Sequence, residues 1–186
     1  IYMRILNRRS KKGTYECAQD FLEAHEVESQ HIYRALDVLA EESNTIEEMV
    51  YQNSLEIVER NQQVLYYDCT NFYFEIEEAE GLKQYGMSKE NRPNPIVQMG
   101  LFMDGNGLPL SFVIHSGNQN EQPTLKPLEK RIIRDFNLSQ FIVCTDAGLS
   151  SHDNRLYNSF GNRGFITTQS IKLLKKHLKE WALDTK

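Results

Sequence analysis

The sequence predicts an α/β protein in which a mixed β-sheet follows an α-helical N-terminal segment. Residues 14–60 carry apolar side chains at helical spacing, whereas residues 64–76 form a run of strand-forming residues. Beyond that run, strand patterns and helical patterns alternate. Such alternation is typical of domains in which helices cover a sheet that is at least partly parallel.

The helical segment is predicted to occupy residues 1–61. In QHIYRALDVLAEES, Ile32, Leu36 and Leu39 recur at helical spacing. Thr45 and Glu48 have the spacing of a capping box, which predicts a second helix from residue 45. We interpret the segment as a helical subdomain or linker rather than a DNA-reading unit, because its charge is negative.

The remainder, residues 62–186, is predicted to hold the sheet. Strands are expected at 64–76, 97–104, 108–117, 141–146 and 164–169. Gly-Asn-Gly at 105–107 predicts a hairpin turn, and 124–136 predicts a helix that crosses over to a parallel strand. A basic helix is expected at 170–186. An antiparallel three-strand meander followed by a crossover helix and a parallel strand is the arrangement of a ribonuclease H-like domain.

Composition limits the classes of function. The formal net charge is −5, and the acidic excess lies in residues 1–61, with 7 basic and 12 acidic residues. Residues 124–186 hold 11 basic and 6 acidic residues, so a local patch can bind phosphate although the whole chain is acidic. No apolar run approaches the roughly 20 residues of a membrane span. Three cysteines without CxxC spacing indicate reduced thiols of a cytosolic protein.

Asp68 lies in the middle of the strand VLYYDCTNFYFEI. Alternate residues of a strand share a face, and here both faces are largely apolar, which predicts a central strand covered on both sides. An ionised carboxylate in that position costs several kcal/mol unless it is compensated. Pairing with a basic residue, accepting backbone hydrogen bonds or binding a metal ion would each compensate it.

Asp146 ends the short strand FIVCTD. The carboxyl ends of strands in open α/β sheets face the functional crevice, and the crossover helix would place this strand beside that of Asp68. Neither strand contains a basic residue. We therefore expect both carboxylates to bind Mg²⁺ or Mn²⁺, which prefer hard oxygen ligands. For Asp146 alone, a turn or a helix cap is the alternative.

Five segments occur in order: YYDCTNFYFE around Asp68, YGMSKENRP at 85–93, DGNGLPL at 104–110, SGNQNEQPT at 116–124 and VCTDAGLSS around Asp146. Together they resemble the DDE transposases of bacterial insertion sequences, in the group with a β-rich insertion in the catalytic domain. The resemblance extends from residue 32 to about residue 170.

The resemblance implies a ribonuclease H-like catalytic domain in which three acidic residues hold two metal ions. Asp68 matches the first of these residues and Asp146 the second. The third is a glutamate within a downstream Tyr–Arg–Glu–Lys pattern, which Glu180 does not match. We therefore expect a truncated transposase fragment without its third carboxylate, which binds metal weakly and does not cleave DNA alone.

The resemblance also implies partners and a location. The expected partner is double-stranded DNA, both transposon ends and target, and the expected assembly is a homodimer. No membrane association is expected, and the location would be the nucleoid-associated cytoplasm of a bacterium. The implied reaction is phosphoryl transfer, in which two metal ions activate the attacking oxygen and stabilise the leaving oxygen.

Basic residues near the predicted site are candidates for DNA contact. Lys89 and Arg92 lie in the polar loop 80–95, with Ser88 as a weaker candidate. Each would contact phosphate or simply face solvent. The same two alternatives apply to a basic stripe formed by Lys172, Lys175, Lys176 and Lys179. Asp104, before the Gly-Asn-Gly turn, is expected to serve the turn rather than a metal.

Other functions remain open from the sequence. The same fold would suit a structure-specific nuclease or a domesticated, inactive relative of the transposases. A non-catalytic DNA- or protein-binding module is a third alternative. Such a module has no need of paired carboxylates, so neutralising Asp68 and Asp146 distinguishes it from an enzyme.

Overall fold

The structure is a computed structural model that describes residues 1–20 and 27–184. Its chain divides into two compact units, Ile1–Met49 and Val50–Lys186. Residues 21–26 of the predicted helical segment and the last two residues of the predicted basic helix lie outside the described residues.

The described part of the first unit is helical. Its helices are α1 (Tyr2–Leu6), α2 (Lys11–Cys17), α3 (Ser29–Glu41) and the beginning of α4 (Ser43–Ile57). The helices predicted from residues 30 and 45 are thereby confirmed as α3 and α4. A short 3₁₀ helix, Ala18–Asp20, follows α2.

The start of α4 differs from the prediction. Because α4 begins at Ser43, Thr45 lies inside the helix, and its hydroxyl donates to the carboxylate of Glu42 over 3.1 Å. The capping box predicted at Thr45 is therefore wrong. A capping box occurs instead at the start of α3, where the backbone N–H of Glu28 donates to His31 Nδ1 over 3.0 Å.

A five-stranded mixed sheet forms the second unit. Its strands are β1 (Val64–Tyr73), β2 (Ile96–Asp104), β3 (Pro109–Ser116), β4 (Ile142–Thr145) and β5 (Gly164–Thr167). Their spatial order is β3-β2-β1-β4-β5, in which β1, β2 and β3 are antiparallel and β4 and β5 run parallel to β1. This is the ribonuclease H-like arrangement, and the predicted fold class is confirmed.

Three helices accompany the sheet: α5 (Leu125–Asp135), α6 (His152–Asn158) and α7 (Lys176–Leu183). Helix α5 connects β3 to β4, as the crossover prediction required. The single basic helix predicted from residue 170 is wrong, because a 3₁₀ turn, Ile171–Leu173, ends in extended backbone at Leu174 and Lys175 before α7 begins. Within the described ranges, no helix combines the length and the apolar character that crossing a bilayer requires.

One face of the sheet carries the core of the second unit. The buried side chains of β1 and the apolar stripe of α5 belong to one cluster, which includes Leu65, Tyr67, Cys69, Leu125, Leu128 and Ile132. The α5 residues recur at helical spacing and so share one face of the helix. Burying a leucine or isoleucine of this kind stabilises the fold by about 1.5–3 kcal/mol.

The opposite face of the sheet is open. Along β1 it carries Tyr66, Asp68 and Phe72. Six apolar side chains of this face expose 38% to 59% of their surface: Tyr66, Phe72, Phe112, Ile114, Ile142 and Ile166. The expectation that β1 is covered on both faces is therefore wrong. Strand β4 is also partly open, since Ile142 is exposed and Val143 is its one buried residue.

Candidate metal and DNA site

Asp68 and Asp146 lie on neighbouring parallel strands. The register of β1 and β4 pairs Tyr66 with Cys144, and two further residues along each chain lead to Asp68 and Asp146. Since side chains alternate along a strand, the Asp68 carboxylate belongs to the open face, and Asp146 directly follows the neighbouring strand β4. The sheet therefore places the two predicted residues on, and directly after, neighbouring strands.

The environment of Asp68 differs from the expectation. Its side chain is 69% exposed, so the cost of burying an ionised carboxylate does not arise. Asp68 Oδ1 accepts a hydrogen bond from the backbone N–H of Cys69 over 2.8 Å. Lys89 Nζ lies 3.8 Å from the same oxygen, so a basic residue from outside the strand accompanies Asp68.

Asp146 is held by two neighbours. Its Oδ1 accepts a hydrogen bond from the backbone N–H of Leu149 over 3.1 Å, which caps the 3₁₀ helix Ala147–Leu149. The hydroxyl of Thr167, at the end of β5, donates to the backbone carbonyl of Asp146 over 3.0 Å. The cap that the sequence offered as an alternative role is therefore present, on an exposed carboxylate at the same edge as Asp68.

The loop that contains Lys89 and Arg92 runs alongside β1. Lys89 Nζ donates a hydrogen bond to the backbone carbonyl of Cys69. The guanidinium of Arg92 stacks on the ring of Tyr73, 4.7 Å from its centre, and lies 3.6 Å from the carboxylate of Glu90. The loop thus sets two cations along β1, and only Lys89 reaches Asp68.

Behind the open face, β1 is fixed by a buried polar group of three side chains. The hydroxyls of Tyr67 and Thr124 lie 2.7 Å apart, and Cys69 Sγ donates to the Tyr67 hydroxyl over 3.6 Å. Burial raises the pKa of the Tyr67 hydroxyl and of the Cys69 thiol, so both stay protonated at neutral pH. Cys69 is thus a buried core residue, and its backbone N–H donates to Asp68 Oδ1.

Two acidic oxygen donors fit a hard divalent cation. Mg²⁺ in proteins commonly binds through one or two carboxylates, with water and substrate phosphates as its other ligands. Asp68 and Asp146 supply such a pair. Within residues 1–20 and 27–184, no group of three or more His, Cys, Asp or Glu side chains is placed to hold a metal ion, so no third carboxylate joins the pair.

Asp104 belongs to a different arrangement, on the buried face. Its Oδ1 accepts backbone hydrogen bonds from Asn106 and Leu108, each over 2.9 Å, which confirms the predicted turn role. Its Oδ2 accepts a hydrogen bond from Arg60 Nε over 2.6 Å, and both side chains are buried. Sequence reasoning missed Arg60, because the two residues lie 44 positions apart and no local pattern joins them.

Sequence reasoning also missed a buried carboxylate on α5. Glu129 is completely buried, accepts a hydrogen bond from Asn158 Nδ2 over 3.1 Å and lies 3.9 Å from Arg163 Nε. Burial raises the pKa of Glu129 to about 7, although Asn158 and Arg163 act in the opposite direction. The sequence signal for this burial was the position of Glu129, four residues after Leu125, within the apolar stripe of α5.

The remaining basic candidates are dispersed. The predicted stripe is interrupted between Lys172 and α7, and Lys179 Nζ donates to the backbone carbonyl of Lys172 over 3.3 Å. Lys176 lies 4.0 Å from Glu180. The single helical face that the sequence predicted for these lysines therefore does not form.

No protein-family model matches the chain, and no curated protein matches it. Among solved structures, the chain resembles a Mos1 transposase paired-end complex with the left transposon end, at 13% identity and a TM-score of 0.40 over 86% of this chain and 58% of that one. It also resembles a piggyBac transposase synaptic complex with hairpin DNA, at 10% identity and a TM-score of 0.45 over 89% and 38%. A Mos1 mariner paired-end complex with Mn matches at 12% identity and a TM-score of 0.40 over 88% and 56%.

These solved structures are transposases, and the chain spans less than two thirds of the length of each. The assignment of the fold rests on the strand order and strand directions of the sheet.

Proposed function

We propose that this chain is part of a DDE transposase of the bacterial insertion-sequence type, which cleaves and joins DNA strands by metal-dependent phosphoryl transfer. The observation that carries the proposal is the parallel pairing of β1 with β4, because Asp68 lies two residues beyond Tyr66 and Asp146 two residues beyond its partner Cys144. The ribonuclease H-like strand order and the five sequence segments support it.

In this proposal Asp68 and Asp146 hold Mg²⁺ or Mn²⁺, with two ions in the complete enzyme. When bound, the metal supplies charge stabilisation for the attacking and leaving oxygens of the DNA phosphate. Asp68 is positioned by the backbone of β1, and Asp146 by Leu149 and Thr167. Lys89 and Arg92 contact the phosphates of double-stranded DNA, including transposon ends and target, because such contacts fix the register of a protein on a duplex.

The pair alone is expected to bind metal weakly, because no third carboxylate joins it within the described residues. The same observation favours a second candidate, an inactive ribonuclease H-like DNA-binding module. The two candidates differ in what the aspartates do: an enzyme needs them for metal, whereas a binding module loses nothing when they are neutralised.

The binding of Mn²⁺, followed by the electron paramagnetic resonance signal of the unbound ion, tests the proposal. The parent chain is expected to bind Mn²⁺ in the millimolar range, and Asp68→Asn and Asp146→Asn are each expected to lose this binding. Asp153→Asn, at an aspartate that is also well exposed, is the matched control and should bind like the parent. Equal binding by all four chains would rule out the metal site.

A further inference from the structure

Two aspartates on the same sheet have basic partners, and the two pairs differ in kind. Asp104 and Arg60 are buried and meet at 2.6 Å, and Arg60 also donates to Ser54 Oγ and to the carbonyls of Leu108 and Pro109. Asp68 and Lys89 are exposed by 69% and 47% and lie 3.8 Å apart. The first pair is a fixed structural element, whereas the second is open to water and to ions.

Lys89 is attached to β1 at a second point. Its ammonium donates to the backbone carbonyl of Cys69, the residue after Asp68. The positive charge is thereby held beside Asp68 Oδ1 even though an exposed ion pair by itself is weak. A lysine ammonium is a compact charge on a flexible stem, so the side chain can carry it away from this position when a stronger charge arrives.

A divalent cation that binds Asp68 needs a carboxylate oxygen at about 2.0–2.6 Å. Lys89 Nζ already lies 3.8 Å from Oδ1, so the cation and the ammonium compete for the same negative charge and repel each other. We infer that Lys89 is an exchangeable counter-ion of Asp68, which neutralises the carboxylate until a divalent cation displaces it. This inference rests on the proposed function, because it requires Asp68 to bind metal.

Displacement also changes what Lys89 can contact. Once the cation occupies Asp68, the ammonium is repelled from its place and its stem lets it turn outward, toward a phosphate of bound DNA. Arg92 is not a counter-ion of Asp68, because its guanidinium stacks on Tyr73 and pairs with Glu90. The two basic residues of the loop are therefore distinguishable by experiment.

The test measures the Mn²⁺ dissociation constant by isothermal titration calorimetry for the parent, Lys89→Met, Lys89→Arg and Arg92→Met. Lys89→Met removes the competing charge and is expected to lower the Mn²⁺ dissociation constant roughly threefold to tenfold. This is the size of effect expected when an exposed ion pair and the repulsion of a nearby like charge are both removed. Lys89→Arg retains the charge, and Arg92→Met removes an equal charge three residues away. Both are expected to stay within about twofold of the parent, since neither relieves Asp68 of its counter-ion.

Unchanged or weaker Mn²⁺ binding by Lys89→Met, with Asp68→Asn still abolishing binding, would overturn the inference and leave the proposed function standing. Absence of Mn²⁺ binding in every chain would overturn both. Equally tighter Mn²⁺ binding by Lys89→Met and Arg92→Met would also contradict the inference, because it would show a general effect of net charge. Tighter binding confined to Lys89→Met supports it.

Discussion

Arg60 Nε donates a hydrogen bond to Asp104 Oδ2 over 2.6 Å, in a salt bridge whose two side chains are buried. Arg60 follows α4, and Asp104 begins the β2–β3 turn, so the pair joins the end of the helix to the hairpin. The guanidinium also lies over the ring of Tyr51, 5.2 Å from its centre. The hairpin that supplies two of the five strands is therefore held by a residue outside it.

Replacing Arg60 by Met is expected to lower the free energy of unfolding by roughly 3–5 kcal/mol, because Asp104 would remain buried without its cation. Urea denaturation followed by circular dichroism measures this. Lys176→Met, which removes the exposed partner of Glu180, is the control and should leave the unfolding midpoint unchanged. Equal stability of the parent and Arg60→Met would show that the buried pair does not support the hairpin.

Gly100 is required by the ring of Tyr67. A Cβ at position 100 would lie 2.1 Å from the Tyr67 hydroxyl oxygen, which is held by Thr124 and cannot move aside easily. Gly100→Ala is therefore expected to destabilise the protein by roughly 1–3 kcal/mol, the usual cost of overpacking a core.

Gly148→Ala is the matched control, because the nearest atoms to its added Cβ are the Asp146 carboxylate oxygens at 3.4 Å, an ordinary contact. The two variants are compared by urea denaturation at neutral pH. A Gly100→Ala variant as stable as Gly148→Ala would contradict the packing of Tyr67 against β2.

Glu129 makes stability depend on pH. Its pKa is raised by burial from 4.5 to about 7, so the folded protein keeps a proton that the unfolded chain releases between these values. Stability is therefore expected to fall as the pH rises from 4.5 to 7, by roughly 3 kcal/mol, and to be independent of this group outside that window.

Glu129→Gln isolates this contribution, because the glutamine cannot ionise. The free energy of unfolding of the parent minus that of Glu129→Gln is measured between pH 4 and pH 8. It should decline across the window, leaving the variant relatively more stable at pH 8. A difference that stays constant with pH would mean that Glu129 titrates normally in the folded protein.

DNA binding tests the basic loop. The logarithm of the binding constant for a duplex falls linearly with the logarithm of the salt concentration, and each phosphate contact contributes about 0.9 to the slope. If Lys89 and Arg92 each contact a phosphate, the double variant Lys89→Gln, Arg92→Gln is expected to reduce the magnitude of this slope by about 1.8. Fluorescence anisotropy of a labelled duplex at several salt concentrations measures the slope. Lys179→Gln tests the alternative surface on α7, and a larger loss there would favour the C-terminal helix over the loop.

Much of the fold follows from local patterns. Runs of strand-forming residues and the Gly-Asn-Gly turn predict the three-strand meander. Gly107 in that turn adopts a φ of +80°, and the helical pattern over α5 predicts the crossover. The exposure of Asp68 could not be predicted from the sequence. Strand β1 has apolar residues on both faces, and this pattern is the same as that of a strand covered on both sides. The partners of Asp68, Asp104 and Glu129 depend on residues 21, 44 and 34 positions away, which only the tertiary fold brings close.

The central claim is that Asp68 is a metal ligand, and thermal unfolding with and without Mn²⁺ at about ten times its dissociation constant tests it most directly. A ligand at ten times its dissociation constant stabilises a protein by about 1.4 kcal/mol, a shift of a few degrees for a chain of this size. The account predicts that Mn²⁺ raises the melting temperature of the parent and leaves that of Asp68→Asn unchanged. An equal shift in both chains, or no shift in either, would contradict it.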